Sequence, residues 1–576
     1  MAHHSYLVKS AADTTAQGTL RSAILFANAN PGTTITFAPK LAHRTITLSH
    51  ELPLILGNGT VIDGSGASHL TVSGNNQFRV FFVGDTTDTV SATIENLAIS
   101  HAVAKGGNGG DGGRAGGGGA GLGGAIFVSS HGSLAISGLV LSHDAATGGI
   151  GGGVIGPGDG GGGGVGGNGG AGPAGGVLDA GGGGGGFGIG AVGGNVSGAG
   201  GSGNSGQFTN GTAGGAAASG SGIGGASGGG GAAAASSGFG GGGGGVGGMK
   251  GVSFTGGIGG FGGGGGGGVF AGKGGFGGGG GGDIDFAGRG GFGGGGGGGF
   301  DGIGGFGGGS GSTDGGGDGA GMGGAIFVMN GGSLTARGAI TINGDSVAAG
   351  NGSSGAEGGH AFGGGLFLSG NGTIRFSPRN GQTEHVVNAM DDERGVVANG
   401  YVPPDATFAP GSYNLVKSGP GTLILSAHNA YSGGTMLKAG TLVLAATAAA
   451  GTGAITFTGH ATLRITNAAM PGHVFGTAIN SFGNHDILDL SGLHFHAVGA
   501  AAIYDNTSHH LLVQSGGVID RLTLVSPNGT HFAVADDGHG GTKVVLDPPH
   551  AATVAAEATH YSEGSAHHLG DYLWIG

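Results

Sequence analysis

Short segments of alternating polarity dominate the first hundred residues. TITF (34–37), TITLS (45–49) and LTVSG (70–74) alternate β-branched or apolar residues with small polar ones, and NGTVIDGSG (58–66) places glycine turns between them. A period of two with glycine punctuation predicts short half-buried strands. One stretch, SAILFANAN (22–30), has helical spacing instead. A brief amphipathic helix before a ladder of strands suits the cap of an open-ended stack, whose edge hydrogen bonds must be covered.

The same style returns as a repeat interrupted by glycine. GGAIFVSSHGSLAISG (123–138) recurs as GGAIFVMNGGSLTARG (323–338), 200 positions later, and GGGLFLSGNGTIRF (363–376) is a looser third copy. Each copy predicts a strand, a glycine turn and a second strand, stacked on its neighbours at ~4.8 Å. Ile126, Val128, Ile326 and Val328 then share one strand face and Phe127 and Phe327 the other, and one of those faces fills a core.

Two stretches carry a family resemblance. TLRSAILFANANPGTTITFAPKLAHRTITLSHELPLILGNGTVIDGSG (19–66), followed by LTVSGNNQFRVFFVG (70–84), resembles the opening of right-handed parallel β-helix domains in bacterial surface proteins of the polymorphic outer-membrane and autotransporter-like kind. LVKSGPGTLILSAHNAYSGGTMLKAGTLVLA (415–445) resembles the autotransporter-associated β-strand repeat, with Gly419, Gly421, Thr422, Leu423, Leu425, Asn429, Tyr431, Ser432, Gly433, Gly434, Thr435, Gly440, Thr441 and Leu442 in order. The resemblance implies a passenger-type pair of β-helix turns in which Asn429 and Tyr431 have turn and stacking roles. NHDILDLSGLHF (484–495) and RLTLVSPNGTHFAVADDGHGGTKVVL (521–546) look like the C-terminal part of large secreted β-repeat proteins.

Composition then changes the picture. Of 576 residues 162 are glycine, and most of them fall in two blocks, about 105–122 and 147–322, lying between copies of the repeat. A flexible coil is one reading of such a block, since little repays its ordering entropy. Three features point to order. GGNGGDGGR (106–114) carries a side chain at every third position, the period of a polyproline II helix, and only glycine lets such backbones pack closely. Phe261, Phe276, Phe292 and Phe306 recur at spacings of 15, 16 and 14, each before a glycine run. Serine and charge are scarce between 239 and 309, where solubilising linkers carry both. The expectation is a bundle of short polyglycine II helices anchored to the strand ladder by Phe, Val and Ile at its turns, similar to the polyglycine-helix bundles of certain antifreeze proteins and phage adhesin tips.

The expected fold class is therefore all-β: a right-handed parallel β-helix, or solenoid, with large glycine-rich insertions. Its layout is an N-terminal cap and first turns (1–104), a short glycine-rich insertion (105–122), one turn (123–146), the long insertion (147–322), further turns (323–376), an irregular excursion (377–412), a C-terminal β-helix (413–546) and a tail (547–576). Without the insertions, about 15 turns give a rod about 70 Å long.

Charge and residue chemistry exclude several functions. The 19 Lys and Arg against 32 Asp and Glu give a net charge of −13 with no basic run, which argues against nucleic acid as a partner. No cysteine is present, so disulfides and thiolate metal sites are absent. No GxxxxGK[ST] occurs, and GxGxxG matches are inevitable at this composition. GGNGGD (106–111) and GGGGGD (278–283) open like a calcium-binding nonapeptide but lack its later apolar residue, Gly113 and Asp285 standing there, so calcium is only an outside option and no cofactor is expected. The 24 histidines, including HFH at 494–496, show no metal-ligand pattern and read as solvent-facing. Asp391, Asp392, Glu393 and Arg394 form the one dense charged cluster, and their place beside Pro403 and Pro404 predicts a solvated loop, not an acid/base centre. An enzyme is not expected, although a glycan-active β-helix enzyme and an ice-binding protein are alternatives, the second suggested by Thr34-Ile35-Thr36 and Thr45-Ile46-Thr47.

No run of 18 apolar residues predicts a transmembrane span, and no basic and apolar leader opens the chain. The acidic and apolar residues of HHLGDYLWIG suit a type I secretion signal. The expected protein is extracellular or on a bacterial surface and structural: an adhesin, a biofilm component or a fibre subunit, partnered by itself or by surface glycans and cells. Its structural residues of interest are Phe261, Phe276, Phe292, Phe306, Asn429 and Tyr431.

Overall fold

The computed structural model describes residues 4–172, 181–188, 192–193, 240–245, 255–352 and 355–547. The tail expected at 547–576, apart from Asp547, and parts of the long glycine-rich block lie outside them.

The described chain is all-β, with parallel sheets built from strands of mostly three to six residues. Successive short strands enter three sheets in turn. Ile126–Val128 lies in a five-stranded sheet, Gly132–Ser137 in a fourteen-stranded one and Val140–Ser142 in a twelve-stranded one. The next passage through the same three sheets is Ile326–Val328, Ser333–Arg337 and Ile340–Asn343. The copies 200 residues apart thus pair as direct neighbours, Ile126 with Ile326, Phe127 with Phe327, Val128 with Val328 and Leu134 with Leu334. The third copy follows on the other side, Leu366 against Ile326 and Phe367 against Phe327.

Alternation along each strand divides the apolar residues between two clusters. Ile126, Val128, Leu134, Ile136 and Leu141 enter one continuous core with their counterparts from neighbouring passages. Phe127, Phe327 and Phe367 point the other way, yet are buried in a second cluster.

The helix Leu20–Ala29 starts at Thr19, whose hydroxyl accepts from the Ser22 amide in a capping box, and it turns Leu20, Ala23, Ile24 and Ala27 into the core.

Two regions differ from the sequence-based layout. The segment 377–412 is not irregular throughout: Thr383–Val386 and Met390–Asp392 continue the parallel sheets, and the departure begins only at the helix Glu393–Ala398. The two prolines bias only the residues around them, and Glu384 at a buried strand position hides the period of two from the sequence. Near the C-terminus the parallel order ends. Ala501–Asp505, His510–Ser515 and Val518–Val525 form an antiparallel meander, and Phe532–Asp536 and Thr542–Leu546 a hairpin. Turns as short as Gly516-Gly517, both with positive φ, join antiparallel strands directly, whereas a parallel pair needs a crossover.

Candidate functional site

The glycine-rich residues are held by backbone hydrogen bonds with a three-residue period. In the run 277–283 the amides of Gly278 and Gly281 donate to the carbonyls of Gly275 and Gly272, those of Gly279 and Gly282 to Gly163 and Gly160, and those of Gly280 and Asp283 to Gly295 and Gly298. The donor direction moves to a new neighbour at each residue and returns at the third. The run 293–299 repeats this with Gly291 and Gly288, Gly118 and Ala115, and Gly309 and Ser312 as acceptors. Glycine is required for contact reasons: a Cβ on Gly279 would lie under 3.0 Å from the Gly117 carbonyl, and one on Gly295 equally close to that of Gly317.

The polar residues of the three-residue motif cap adjacent runs. Asn108 Oδ1 accepts from the Ile150 amide (3.1 Å), Asp111 Oδ1 from Gly153 (2.7 Å), and Asp318 takes Gly151 (2.7 Å) and Gly352 (2.8 Å) on its two oxygens. Asp283 accepts from the Phe286 amide at 2.7 Å, and burial pushes its carboxyl up to about 6. Of the aspartates in the two nonapeptide-like stretches, Asp111 Oδ1 and Asp283 Oδ2 each accept a backbone amide, while Asp283 Oδ1 is buried without a hydrogen-bond partner. Among the described residues no three His, Cys, Asp or Glu side chains group as a metal site.

The four phenylalanines come together. Phe261 and Phe276 stack with centroids 5.4 Å apart, Phe276 and Phe292 at 5.0 Å, and Phe292 and Phe306 at 5.3 Å. Their backbones are tied in the same order, Gly262 N–H to the Phe276 carbonyl, Gly277 to Phe292 and Gly293 to Phe306. Facing them is a second ladder from the five-stranded sheet, Phe82, Phe127, Phe327 and Phe367, spaced 4.5, 5.1 and 5.8 Å. The ladders meet edge to face, Phe261 on Phe127 (6.0 Å, 82°) and Phe276 on Phe327 (6.0 Å, 70°), a favoured arrangement for aromatic quadrupoles.

Residues not singled out from the sequence close this seam. The Tyr401 hydroxyl accepts from Gly307 N–H at 2.5 Å, taking the place that a phenylalanine carbonyl holds in the preceding runs, and its ring meets Phe306 at 5.1 Å. Burial pushes the Tyr401 hydroxyl up to about 12, so it stays protonated. Phe408 packs on Phe306 at 4.8 Å, and Asp405 pairs with Arg289 at 3.5 Å. Arg79 lies buried at the other end, within 5.7–5.8 Å of the Phe82, Phe127 and Phe187 rings, its guanidinium donating to the Leu122 and Gly123 carbonyls. Burial lowers its pKa to about 10. The aromatic density of QFRVFFVG was the one hint to Arg79; nothing local marks Tyr401 or Phe408.

The turns expected to anchor the glycine-rich block do so at one end only. Val154, Ile155 and Phe300 are exposed at 51%, 58% and 73%.

The acidic cluster is not a solvated loop. Asp392 and Glu393 are buried. Glu393 accepts from the Ser369 hydroxyl (2.8 Å) and the Gly370 (2.8 Å) and Gly411 (2.6 Å) amides; Asp392 accepts from Tyr413, Ser432 and Gly395. Asp391 accepts from Gly363 and Ala430. Burial raises all three carboxyls above their ordinary range, while these donors hold them down. Asp392 and Glu393 close the excursion 393–412 onto the sheets, Asp391 ties neighbouring passages at Gly363 and Ala430, and Arg394 stays exposed.

Asn429 bridges neighbouring passages, accepting from the Met390 amide (2.8 Å) and donating to the Ala449 carbonyl (2.6 Å). Tyr431 is buried, its hydroxyl 2.6 Å from that of Thr435.

Around these two residues the comparisons with known proteins give one match. The family model of the passenger-associated-transport-repeat covers residues 415–444. It supports an autotransporter-associated repeat there, suggestive of an autotransporter passenger domain and consistent with a surface or extracellular protein. No curated protein and no solved structure matches the chain. No helix among the described residues is long and apolar enough to cross a membrane.

Proposed function

We propose that the chain is a secreted or surface-displayed structural protein whose stacked parallel strands form a right-handed β-helix, with the glycine-rich insertions packed along one side as a polyglycine II bundle. Its work is adhesion, biofilm cohesion or assembly into extracellular fibres. The observation that carries this reading is the seam itself: two phenylalanine ladders of matching pitch, one per coil and one per glycine run, join a repetitive rod to a repetitive flank. The three-residue return of the donor direction supports the helix type, since polyproline II has three residues per turn. The transport-repeat match supports the passenger role.

The reading places no catalysis at the acidic cluster. A glycan-active centre needs carboxyls free to move protons at a substrate, and the candidates Asp391, Asp392 and Glu393 are engaged by backbone donors instead.

Electron microscopy of negatively stained protein over a concentration series at pH 7 and 5.5 tests the proposal. Filaments with an axial repeat near the rod length make assembly the function. Single rods at every concentration remove the fibre and leave adhesion, to be tested by glycan and cell binding.

A further inference from the structure

At the opposite ends of the same glycine runs lies a third phenylalanine ladder. Phe270, Phe286 and Phe300 hold equivalent places in three successive hairpins, the Ala271 amide donating to the Phe286 carbonyl (3.1 Å) and the Ala287 amide to that of Phe300 (2.7 Å). The rings of Phe270 and Phe286 stack at 5.3 Å and 18°. Unlike the seam ladder this one is open, with exposures of 37%, 51% and 73%, and the exposed Ile284 stands beside it. Val154 and Ile284 line a shared concavity with Pro157.

Contiguous exposed apolar surface marks an interaction site in a soluble protein. The molecule itself displays what covers such a ladder: the seam phenylalanines are buried by another ladder of like pitch. The stacked rings of Phe270 and Phe286 offer mainly their edges outward, which suits edge-to-face packing on further rings more than stacking of a flat ligand on their faces. Charge agrees. Lys273 is exposed one three-residue step from Phe270, while Asp285 and Asp301 are exposed beside Phe286 and Phe300. A face carrying both signs is complementary to itself across a two-fold axis.

We propose that the Phe270, Phe286 and Phe300 edge is a self-association face that docks on the same edge of a second copy. This rests on the assembly reading above and names the surface for it. At roughly 150–250 Å² per aromatic side chain, the three rings offer less than the ~800 Å² per partner of a standard stable interface, so the contact is weak.

Sedimentation equilibrium of the full chain over a roughly hundredfold concentration range is the test, with the weakest point near micromolar affinity. The wild type is expected to gain mass toward a dimer, and F270S/F286S/F300S to remain monomeric with an unchanged melting temperature. K273E and D285K/D301K are each expected to weaken association at least about tenfold, and their mixture to regain it; this pair decides the matter should the triple variant fail to fold. Association of all variants like the wild type overturns the proposal, and filaments persisting in those variants leave the assembly reading standing. A wild type that stays monomeric throughout overturns both.

Discussion

Phe292 stacks on Phe276 with ring planes only 1° apart and centroids at 5.0 Å, and both lean on the single ring of Phe327, at 6.1 and 6.0 Å. Residues of two glycine hairpins are thereby held by one strand of the parallel stack. Replacing Phe292 by Ala is expected to cost about 2–4 kcal/mol, toward the lower part of the range for buried phenylalanine because the ring is half-buried. Thermal unfolding measures the cost, and hydrogen exchange should show protection lost from residues 277–299 before the sheets open. Uniform loss across the molecule would contradict the seam.

Glycine in the hydrogen-bonded runs has a steric role that a flexible coil would not need. Gly279→Ala places its Cβ against the Gly117 carbonyl, whereas Gly358→Ala enters open space. The first is expected to destabilise by about 1–3 kcal/mol, in the range of overpacking, and the second to be neutral within about 0.5 kcal/mol. Equal effects in parallel melting curves would refute the packing.

Asp144 and Asp345 predict a pH dependence. Asp345 accepts from the Asp144 amide at 2.9 Å, and Asp144 from that of Ala102 at 2.8 Å, leaving the other oxygen of each buried without a partner. Burial pushes Asp345 up to about 7, and burial with the nearby Asp345 charge raises Asp144. Both groups hold a proton more tightly when folded than when unfolded, where the pKa is about 3.9. Their stabilisation is therefore complete below about pH 4, and the part owed to Asp345 is lost as pH rises through about 7. Asn388, at the same turn of the next passage, accepts from the Asp345 amide and donates Nδ2–H to the Asp345 carbonyl at 2.8 Å. Asp345→Asn should do likewise, raising stability at pH 7.5 and flattening the decline between pH 5.5 and 7.5 followed by calorimetry.

Glu393→Gln separates a structural role from a catalytic one. A glutamine offers one carbonyl oxygen where the carboxylate serves Ser369, Gly370 and Gly411, and its amide would face donors. The expected cost is about 1–3 kcal/mol, with faster proteolysis in 399–412. Sugar release from polysaccharides should be nil in wild type and variant alike; release that disappears in the variant would establish an enzyme.

The strand ladder was legible because its information is local. Alternation in TITF and the 200-residue echo of GGAIFV assign period-two segments and their phase, and phase determines which side chains share a face. That Phe127 differs in facing from Ile126 and Val128 follows from the same arithmetic. The spacing of Phe261, Phe276, Phe292 and Phe306 was legible as a repeat for the same reason.

The acidic cluster was misread because burial is not local. DDERG beside prolines has the composition of a surface loop, and only the arrival of Gly363, Gly411, Tyr413 and Ser432 amides supplies the donors that make burial tolerable. Tyr401 and Phe408 stayed silent likewise, since their partner Phe306 is about a hundred residues away in sequence.

By itself, then, the sequence determined the strands, their facing, the glycine runs and the absence of cysteine chemistry. Tertiary structure alone decided that the seam ladder is covered while Phe270, Phe286 and Phe300 are not. The two ladders share the spacings 16 and 14, and although the seam rings stand in GGFGG and the outer ones in VFAG, DFAG and GFDG, nothing local says which set meets the parallel stack. What separates them is which end of each run meets the parallel stack, a long-range contact whose energy exists only once both partners are in place.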